Sequence, residues 1–271
     1  MGKIYTPENH TFVICAYGKS IYLEQCIESL MKQTVRGGIL LYTSTPNDLI
    51  SGLAKNHGIR LITCEESKGI ASDWNHAYKS VETELVTIAH QDDIYYPDYL
   101  KETLERINKS RDPIISFTGY YELHGNRTIT DKEFINLRIK RFLLSPLKAK
   151  SLQRNKWLRR RILSLGNSIC CPSVTYVRDS LPESLFEEGM DTNLDWAAWE
   201  KLSKRNGSFV YIPKALMAHR IYEESVTVDT IRSGVRSKED LEMLEKFWPS
   251  PIAGIINAIY SKSQKSRKVQ G

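Results

Sequence analysis

Short apolar segments alternate with helical patterns along most of this sequence, and that alternation limits the fold more than any other feature. The first pair is TFVICAY, an apolar run with β-branched residues, followed by GKSIYLEQCIESLMKQT, whose apolar residues recur at helical spacing. The same order repeats in GGILLYTST and PNDLISGLAKNHG, in IRLITC and GIASDWNHAYKSV, and in ELVTIAH and YPDYLKETLERINKS, before the strand pattern PIISFTGYYEL. Strands that alternate with helices in this way predict an α/β fold: a mostly parallel sheet with helices on both faces.

Two adjacent carboxylates stand at the end of one predicted strand, in the segment TIAHQDDIYYPDYL. Sheets of this kind bind ligands beyond the carboxyl ends of their strands, so Asp92 and Asp93 fall where a binding site is expected. Like charges this close disfavour joint ionisation, and a positive group is therefore expected nearby. A bound divalent cation is one interpretation. The other is a solvated turn before a helix, whose N-terminus favours negative charge.

Composition places the chain among ordinary soluble globular proteins. It has 271 residues, 41% hydrophobic and 26% charged, which is enough for one large domain or one domain with an appendage. Its five cysteines are an odd number without the spacing of a metal site, and no apolar N-terminal segment resembles a signal peptide. We therefore expect a cytoplasmic protein rather than a secreted one.

Positive charge is concentrated in one segment. Residues 127–161 hold twelve Lys/Arg against two acids, a local charge of +10, so the remainder of this +6 chain carries −4. The strand–helix alternation stops from residue 126 to about residue 166, and we expect a basic helical insert there. Such a block points to an anionic partner: a membrane surface, a lipid-linked phosphate or a nucleic acid. No recognisable nucleic-acid module accompanies it, so nucleic acid is not expected as the partner.

After the insert the pattern resumes with the strand SICCPSVTYVRDSL, the helix TNLDWAAWEKLSKRNG, with Gly207 as its terminator, and the segment SFVYIPKALMAHRIYEESVT. We assign residues 1–235 to one domain that includes the insert, and residues 236–271 to a helical, basic C-terminal tail. The tail segment PIAGIINAIY is apolar but too short to span a bilayer.

Three blocks of the sequence resemble glycosyltransferase family 2, the inverting nucleotide-sugar enzymes of the Rossmann-like GT-A fold. They are FVICAYGKSIYLEQCIESLMKQT, SKGIASDWNHAYKSVETELVTIAHQDDIYYPDYL and LDWAAWEKLSKRNGSFVYIPKALMAHRIYEESVT, in the family's order. The resemblance covers roughly residues 10–230 apart from the insert. It implies an enzyme that moves a sugar from a nucleotide-diphosphate donor, with a UDP-sugar as the first expectation, to a hydroxyl group.

The resemblance implies contacts to the donor nucleotide from the ends of the first two strands. The end of the first strand matches a family pattern whose tyrosine lies near the base, so Ala16 and Tyr17 are expected there. The second strand lacks the acid of the family's usual Asp-Asp-Gly-Ser pattern. The hydroxyls of Thr43 and Thr45 are the candidates that replace it.

The segment SKGIASDWNHAY matches the family's Gly-rich entry to the third helix. The match implies that Gly69 allows close approach of the backbone to the nucleotide. It also implies that Asp73 and Asn75 project towards the nucleotide from the first helical turns. Capping of this helix by Ser72 or Asp73 is the alternative.

The resemblance also implies a metal-ligating role for the paired carboxylates. His90, Gln91 and Asp92 fall on the family's Asp-x-Asp motif, so Asp92 is the expected ligand of Mn²⁺ or Mg²⁺ and Gln91 is expected to face the ribose. Asp93 either supports Asp92 or caps the next helix. His90 replaces the family's first acid, and three roles stay open for it: a metal ligand, a ribose contact or a buried polar group. His219, in AHRIYEESVT, is expected as a further metal ligand.

Inverting transfer requires one base that deprotonates the acceptor hydroxyl. The family supplies it from a Glu-Asp pair before a Trp-rich helix, and the match here makes Asp195 the expected base. Its acidic neighbour is missing, so Asp191 is the second candidate, and a helix cap is the alternative role for Asp195. Arg220 matches the segment that closes over the diphosphate and is expected to bind it.

Together these inferences predict a metal-dependent glycosyltransferase of bacterial cell-surface polysaccharide synthesis. Its acceptor is expected to be a glycan or a lipid-linked molecule, and the basic insert is expected to contact the inner face of the membrane. A non-catalytic nucleotide- or glycan-binding protein on the same fold is the alternative, because the nucleobase and metal motifs both depart from the family patterns.

Overall fold

A nine-stranded sheet forms the centre of the computed structural model, which describes residues 3–222 and 235–266. Its first half is parallel, in the order β3-β2-β1-β4, and consists of β1 (His10–Ala16), β2 (Gly38–Thr43), β3 (Arg60–Thr63) and β4 (Leu85–His90). The connections are α1 (Leu23–Met31), α2 (Asp48–Asn56) and α3 (Ile70–Lys79). The predicted alternation of strands and helices is confirmed here.

The second half of the sheet is mixed. After α4 (Tyr99–Asn108), β6 (Pro113–His124) lies parallel to β9 (Ser208–Ile221). β8 (Val174–Val177) runs antiparallel to both β4 and β6, so the strand predicted after the insert is four residues long and opposes its neighbours. The sequence pattern did not predict β5 (Ile94–Tyr95) or β7 (Arg127–Ile129), because strands of two and three residues carry no readable alternation.

Helices cover both faces of the sheet, as predicted. Consecutive residues of β1 belong to different hydrophobic clusters: Val13 packs with residues of α3 and α7 (Leu194–Ser203), whereas Phe12 and Ile14 pack with residues of α1, α2 and α4. α7 ends before Gly207, whose φ of 118° is one that L side chains rarely adopt. The helix itself ends at Ser203 with Lys204 as its C-cap, so Gly207 lies three residues beyond the cap and forms part of the following turn instead of ending the helix as predicted.

The insert is helical, as predicted, with α5 (Ile135–Leu144) and α6 (Lys156–Arg161) joined by short 3₁₀ turns. Its most basic stretch, residues 159–161, does not face outward. Arg159 is 0% exposed and donates to the carbonyl oxygens of Gly207 at 2.9 Å and Arg205 at 2.5 Å. Its charge therefore stabilises the turn after α7, and this corrects its expected place on a membrane-binding surface.

The two following arginines also make contacts within the protein. Arg160 pairs with the buried carboxylate of Glu200, and Arg161 lies 5.6 Å from the ring of Trp157 and 5.3 Å from that of Trp248. These contacts connect the insert to the C-terminal segment, which forms α8 (Val235–Glu245) and α9 (Ser250–Ser266). Within the described residues, every helix is too short or too polar to cross a bilayer.

Candidate active site

The ends of β1, β2 and β4 meet at one edge of the sheet and are joined by hydrogen bonds. Gln91 accepts from the Tyr17 N–H at 2.9 Å and donates to the Tyr17 carbonyl at 3.1 Å. Thr45 accepts from the Gly18 N–H at 2.7 Å, and Asn47 donates to the Gly18 carbonyl at 2.9 Å. Gln91 and Thr45, both expected at the donor, therefore hold the loop after β1 in place.

Within that loop the tyrosine is presented to solvent, while two other predicted contacts are buried. Tyr17 is 64% exposed, so its ring is available for stacking. The side chains of Ala16 and Thr43 are 3% and 0% exposed, and the Thr43 hydroxyl accepts from the Thr45 N–H at 3.0 Å. The predicted side-chain contact from Thr43 is corrected by this burial, and Ala16 offers only its backbone.

Asp73, in the first turn of α3, has one carboxylate oxygen without a protein partner. Ser44, after β2, donates to its Oδ2 at 3.0 Å. Its Oδ1 is buried, and no described residue hydrogen-bonds to it. Leaving a buried acceptor unpaired costs free energy, so this oxygen is suited to accept from a ligand.

The residue before α3 is Gly69, and it faces open space. Its φ of 83° favours glycine, and a Cβ built there meets no atom within 4 Å. Asn75, six residues after Gly69, has a different role from the predicted nucleotide contact. It is 7% exposed, donates to the Phe186 carbonyl at 2.8 Å and accepts from the N–H groups of Leu185 and Phe186 at 2.9 and 3.1 Å. It therefore fixes a neighbouring loop.

A metal-compatible group follows β4 and consists of His90, Asp92 and Asp93. One potential ligand atom from each residue lies within 4.8 Å of the others. The His90 ring stacks on Trp74 at 4.9 Å, and its buried Nε2 has no hydrogen-bond partner among the described residues. Burial, followed by the charge of Asp93, raises the pKa of Asp92. The group therefore combines two neighbouring carboxylates with a ring nitrogen that no described residue uses. This combination suits a divalent cation.

Asp93 links this group to β9. It is 0% exposed and accepts from His219 Nδ1 at 3.0 Å and from the Arg220 N–H at 2.9 Å. Burial alone lowers the pKa of His219, but the charge and hydrogen bond of Asp93 outweigh this and raise it to about 9. His219 thus adjoins the metal-compatible group through its contact with Asp93, and its role as a further metal ligand stays a prediction.

Arg220 is buried and fully engaged, contrary to its predicted contact with diphosphate. It is 3% exposed, and its guanidinium donates to the Asp92 carbonyl at 2.8 Å and to Gln25 Oε1 at 2.9 Å while lying 4.0 Å from the centre of the Tyr22 ring. Its donors go to protein oxygens, so it holds the bend that carries Asp92. This corrects the phosphate-binding prediction.

Asp195 lies in the first turn of α7 and is half-buried. Its Oδ1 accepts from the Trp196 N–H at 2.8 Å and its Oδ2 from Asn167 Nδ2 at 2.6 Å. Burial raises the pKa of Asp195, and these two hydrogen bonds oppose the shift. The N-cap residue of α7 is Asn193, so Asp195 is not the cap that the alternative reading proposed. A carboxylate with a raised pKa is suited to take a proton.

The charges of Asp195 and of the metal-compatible group both act on the half-buried thiol of Cys170, which lies between them in sequence. Burial raises the pKa of Cys170 well above its usual value, and the charges of Asp93 and Asp195 add to this effect. Asp191, the second candidate for the base, is exposed, and no side-chain contact ties it to this region within the described residues.

Sequence patterns did not identify the residue that supports the start of α7. Glu239, in α8, accepts from the N–H groups of Asp191, Thr192 and Asn193 at 2.7, 2.9 and 3.0 Å and from the Thr192 hydroxyl at 2.7 Å. Its carboxylate thus supplies negative charge and acceptors at the N-terminal end of α7. No local signal reveals this, because 44 positions separate Glu239 from Asp195.

Comparisons with known proteins agree with this fold. The sequence model of the family described as Glycosyl transferase family 2 matches residues 11–178. The chain is 20% identical over 244 residues to the uncharacterized glycosyltransferase RT0329 of Rickettsia typhi, which covers 88% of this chain and 70% of that protein.

Solved structures share the fold. The mannosyltransferase PcManGT from Pyrobaculum calidifontis, in complex with GDP-Man and Mn²⁺, superposes with a TM-score of 0.63 at 13% identity over 93% of this chain and 70% of that one. TarS 1-349 of S. aureus, in complex with UDP-GlcNAc, superposes with a TM-score of 0.59 at 16% identity, over 93% of this chain and 71% of that one. Glucosyl-3-phosphoglycerate synthase from Mycobacterium tuberculosis, in complex with Mn²⁺, UDP and glucosyl-3-phosphoglycerate, superposes with a TM-score of 0.57 at 15% identity. The match covers 87% of this chain and 80% of that one.

The family match spans more than half of the chain, and the curled, mostly parallel sheet is that of GT-A glycosyltransferases. The predicted family, fold and enzyme class are confirmed. This chain belongs to glycosyltransferase family 2.

Proposed function

We propose that this glycosyltransferase performs metal-dependent, inverting transfer of a sugar from a nucleoside-diphosphate donor to a hydroxyl of a glycan or lipid-linked acceptor. The observation that carries the proposal is the group of His90, Asp92 and Asp93 at the carboxyl end of β4, with ligand atoms within 4.8 Å of one another. The neighbouring structures with GDP-Man, UDP-GlcNAc and Mn²⁺ support donors and a cation of these kinds.

The residues present fit a divalent cation. Asp92 offers a carboxylate, and His90 offers a buried ring nitrogen that no described residue uses. Asp93, already bonded to His219 and Arg220, holds the bend in place. When bound, the cation neutralises the diphosphate leaving group. Oxygen ligands suit both Mg²⁺ and Mn²⁺, and the histidine makes Mn²⁺ the better match.

At the nucleoside end, Tyr17 and Asp73 are the supported contacts. The exposed ring of Tyr17 provides a stacking surface, and the unpaired Oδ1 of Asp73 provides an acceptor for a base or ribose donor. Asp73 thereby substitutes for the acid that the second strand lacks. A uracil base carries one ring N–H that suits such an acceptor, so a UDP-sugar remains the first expectation.

The Asp73→Ala variant should bind nucleotide roughly tenfold more weakly, the usual effect of removing a hydrogen bond to a charged group. Fluorescence titration with UDP measures this. The matched control is Asp48→Ala, which removes an exposed carboxylate from the first turn of α2. Equal affinities of the two variants would exclude the contact.

Asp195 is the proposed base. It takes the proton of the acceptor hydroxyl as the oxygen bonds to the anomeric carbon, while the bond from that carbon to the diphosphate oxygen breaks on the opposite face. Inversion follows from this single displacement. Asn167 and the Trp196 N–H orient the carboxylate, and Glu239 supports the start of its helix.

Exposed apolar residues of α5 lie near the site and support a partly apolar acceptor. Lys140 of α5 donates to the Tyr120 hydroxyl at 3.0 Å, and the Tyr120 ring lies 6.4 Å from that of His219, so α5 lies beside the site. Ile135, Ile139 and Phe142 on this helix are 57%, 51% and 76% exposed. An exposed apolar stripe near the site suits a lipid-linked acceptor in cell-surface polysaccharide synthesis at the cytoplasmic face of a bacterial membrane.

A panel of nucleotide sugars tests the proposal directly. We expect release of free nucleotide from one donor with Mn²⁺ or Mg²⁺, accelerated by acceptor and lost on chelation of the metal. Binding of nucleotide without release, under any metal or acceptor, would instead support the alternative of a non-catalytic binding protein. Release that persists in chelator would contradict the metal dependence.

A further inference from the structure

α9 carries two opposite faces with different surroundings. Its inner face is docked: Ala253 is 0% exposed, Ile256 packs against the main hydrophobic cluster, and Asn257 donates to the Ser237 carbonyl at 3.0 Å. Its outer face is apolar and uncovered. Three isoleucines at helical spacing form that face, with exposed fractions of 43%, 63% and 65%: Ile252, Ile255 and Ile259. We call them the isoleucine stripe.

The sequence at the C-terminal end has charge of one sign. After Glu245 the sequence contains five Lys/Arg and no acid: Lys246, Lys262, Lys265, Arg267 and Lys268. Two of these cations lie in the last turns of α9. A helix with an apolar outer face and a purely basic C-terminal end is the type that lies in the headgroup region of an anionic bilayer.

An exposed tryptophan adjoins the start of α9. Trp157 is 66% exposed, and Arg161 lies over both its ring and that of Trp248, two residues before the helix begins. The neighbouring insert residues Arg154 and Lys156 are exposed, and Arg154 is also paired with Asp112 at 2.9 Å. Tryptophan next to basic residues is favoured at the boundary between lipid headgroups and acyl chains.

We infer that the isoleucine stripe and Trp157 form a surface that binds an anionic lipid bilayer, with α9 lying in the interface. A second copy of this chain is a poorer occupant, because pairing two stripes brings together two C-terminal segments that each have five cations and no acid after Glu245. Within the described residues, α9 is not long and apolar enough to cross a bilayer. The inference concerns location only and holds whether or not the proposed reaction is correct.

Vesicle flotation tests the surface. The wild-type protein should float with vesicles of phosphatidylglycerol and phosphatidylcholine in equal parts, and far less with phosphatidylcholine alone. Ile255→Asp combined with Ile259→Asp should lower partitioning by roughly tenfold or more, because two inserted apolar side chains are lost. The control is Ile4→Asp, at a position 74% exposed and remote in sequence from α9. It should float like the wild type.

Further measurements distinguish binding to a bilayer from dimerisation, and loss of binding from loss of folding. Lys262→Gln with Lys265→Gln should reduce partitioning roughly fivefold per lysine and weaken its salt dependence. Unchanged thermal unfolding confirms that a variant is folded. Equal flotation of wild type and the isoleucine variant, or a wild-type dimer that this variant dissociates in light scattering, would overturn the inference. Donor hydrolysis, measured in parallel, reports separately on the proposed reaction.

Discussion

Asp92→Ala should abolish metal-dependent donor binding, lowering donor affinity in the presence of Mn²⁺ by at least roughly 10²-fold. Loss of a supporting residue around a metal already costs 10- to 100-fold, and Asp92 is a proposed ligand itself. Its carboxylate is half-buried beside Asp93, with a pKa raised by burial and by that neighbour, so the site favours a cation that offsets the paired charge. Calorimetry with donor, with and without Mn²⁺, measures the effect.

The fold should survive this change. Asp92 contributes its backbone carbonyl to Arg220 at 2.8 Å, and alanine keeps that carbonyl. Asp48→Ala again serves as the control for loss of a carboxylate. If the Asp92→Ala variant binds donor with unchanged affinity and unchanged dependence on Mn²⁺, then Asp92 is not a ligand and the solvated-turn interpretation is correct.

Much of the fold was predictable because the local sequence pattern indicates where most of its strands and helices lie. The first four strands and their helices each have a readable period, and parallel connections of this length leave few topologies. A strand end also pointed to Asp92, whereas Asp195 followed from the family resemblance. Short elements such as β5 and the antiparallel direction of β8 depend on pairing with distant strands, which no local pattern encodes.

The failures concern polar side chains whose partners are distant in sequence. Arg159 looked like part of a solvated basic block, but the carbonyls after α7 attract it into the interior. Asn75 and Arg220 match motif positions, yet their hydrogen-bonding groups go to a loop near Phe186 and to the bend at Asp92. Counting charges or motif residues does not predict which of these side chains hydrogen-bond within the protein and are therefore unavailable to a ligand.

Asp195→Asn should reduce the rate of sugar transfer roughly 10²- to 10⁴-fold, the usual range for loss of a general base, with donor affinity nearly unchanged. Asparagine keeps the size of the side chain and one oxygen for the Trp196 N–H, but it cannot take a proton. Because burial raises the pKa of Asp195, wild-type transfer should fall as the pH drops through a value above the ordinary aspartate range. The variant should lack this limb of the pH profile. Single-turnover transfer with saturating donor, beside a nucleotide titration, measures both effects.

Stability distinguishes this catalytic role from a structural one. A folded-state pKa above the unfolded value means that the ionised carboxylate is disfavoured by folding, so at neutral pH Asp195 destabilises the protein. Replacement by neutral asparagine should then leave the melting temperature unchanged or higher while transfer collapses. A carboxylate kept for the helix alone gives the reverse pattern, lower stability with normal transfer. Near-normal transfer by Asp195→Asn would move the base to Asp191, which Asp191→Asn then tests, whereas lost nucleotide binding would mean that the start of α7 had shifted.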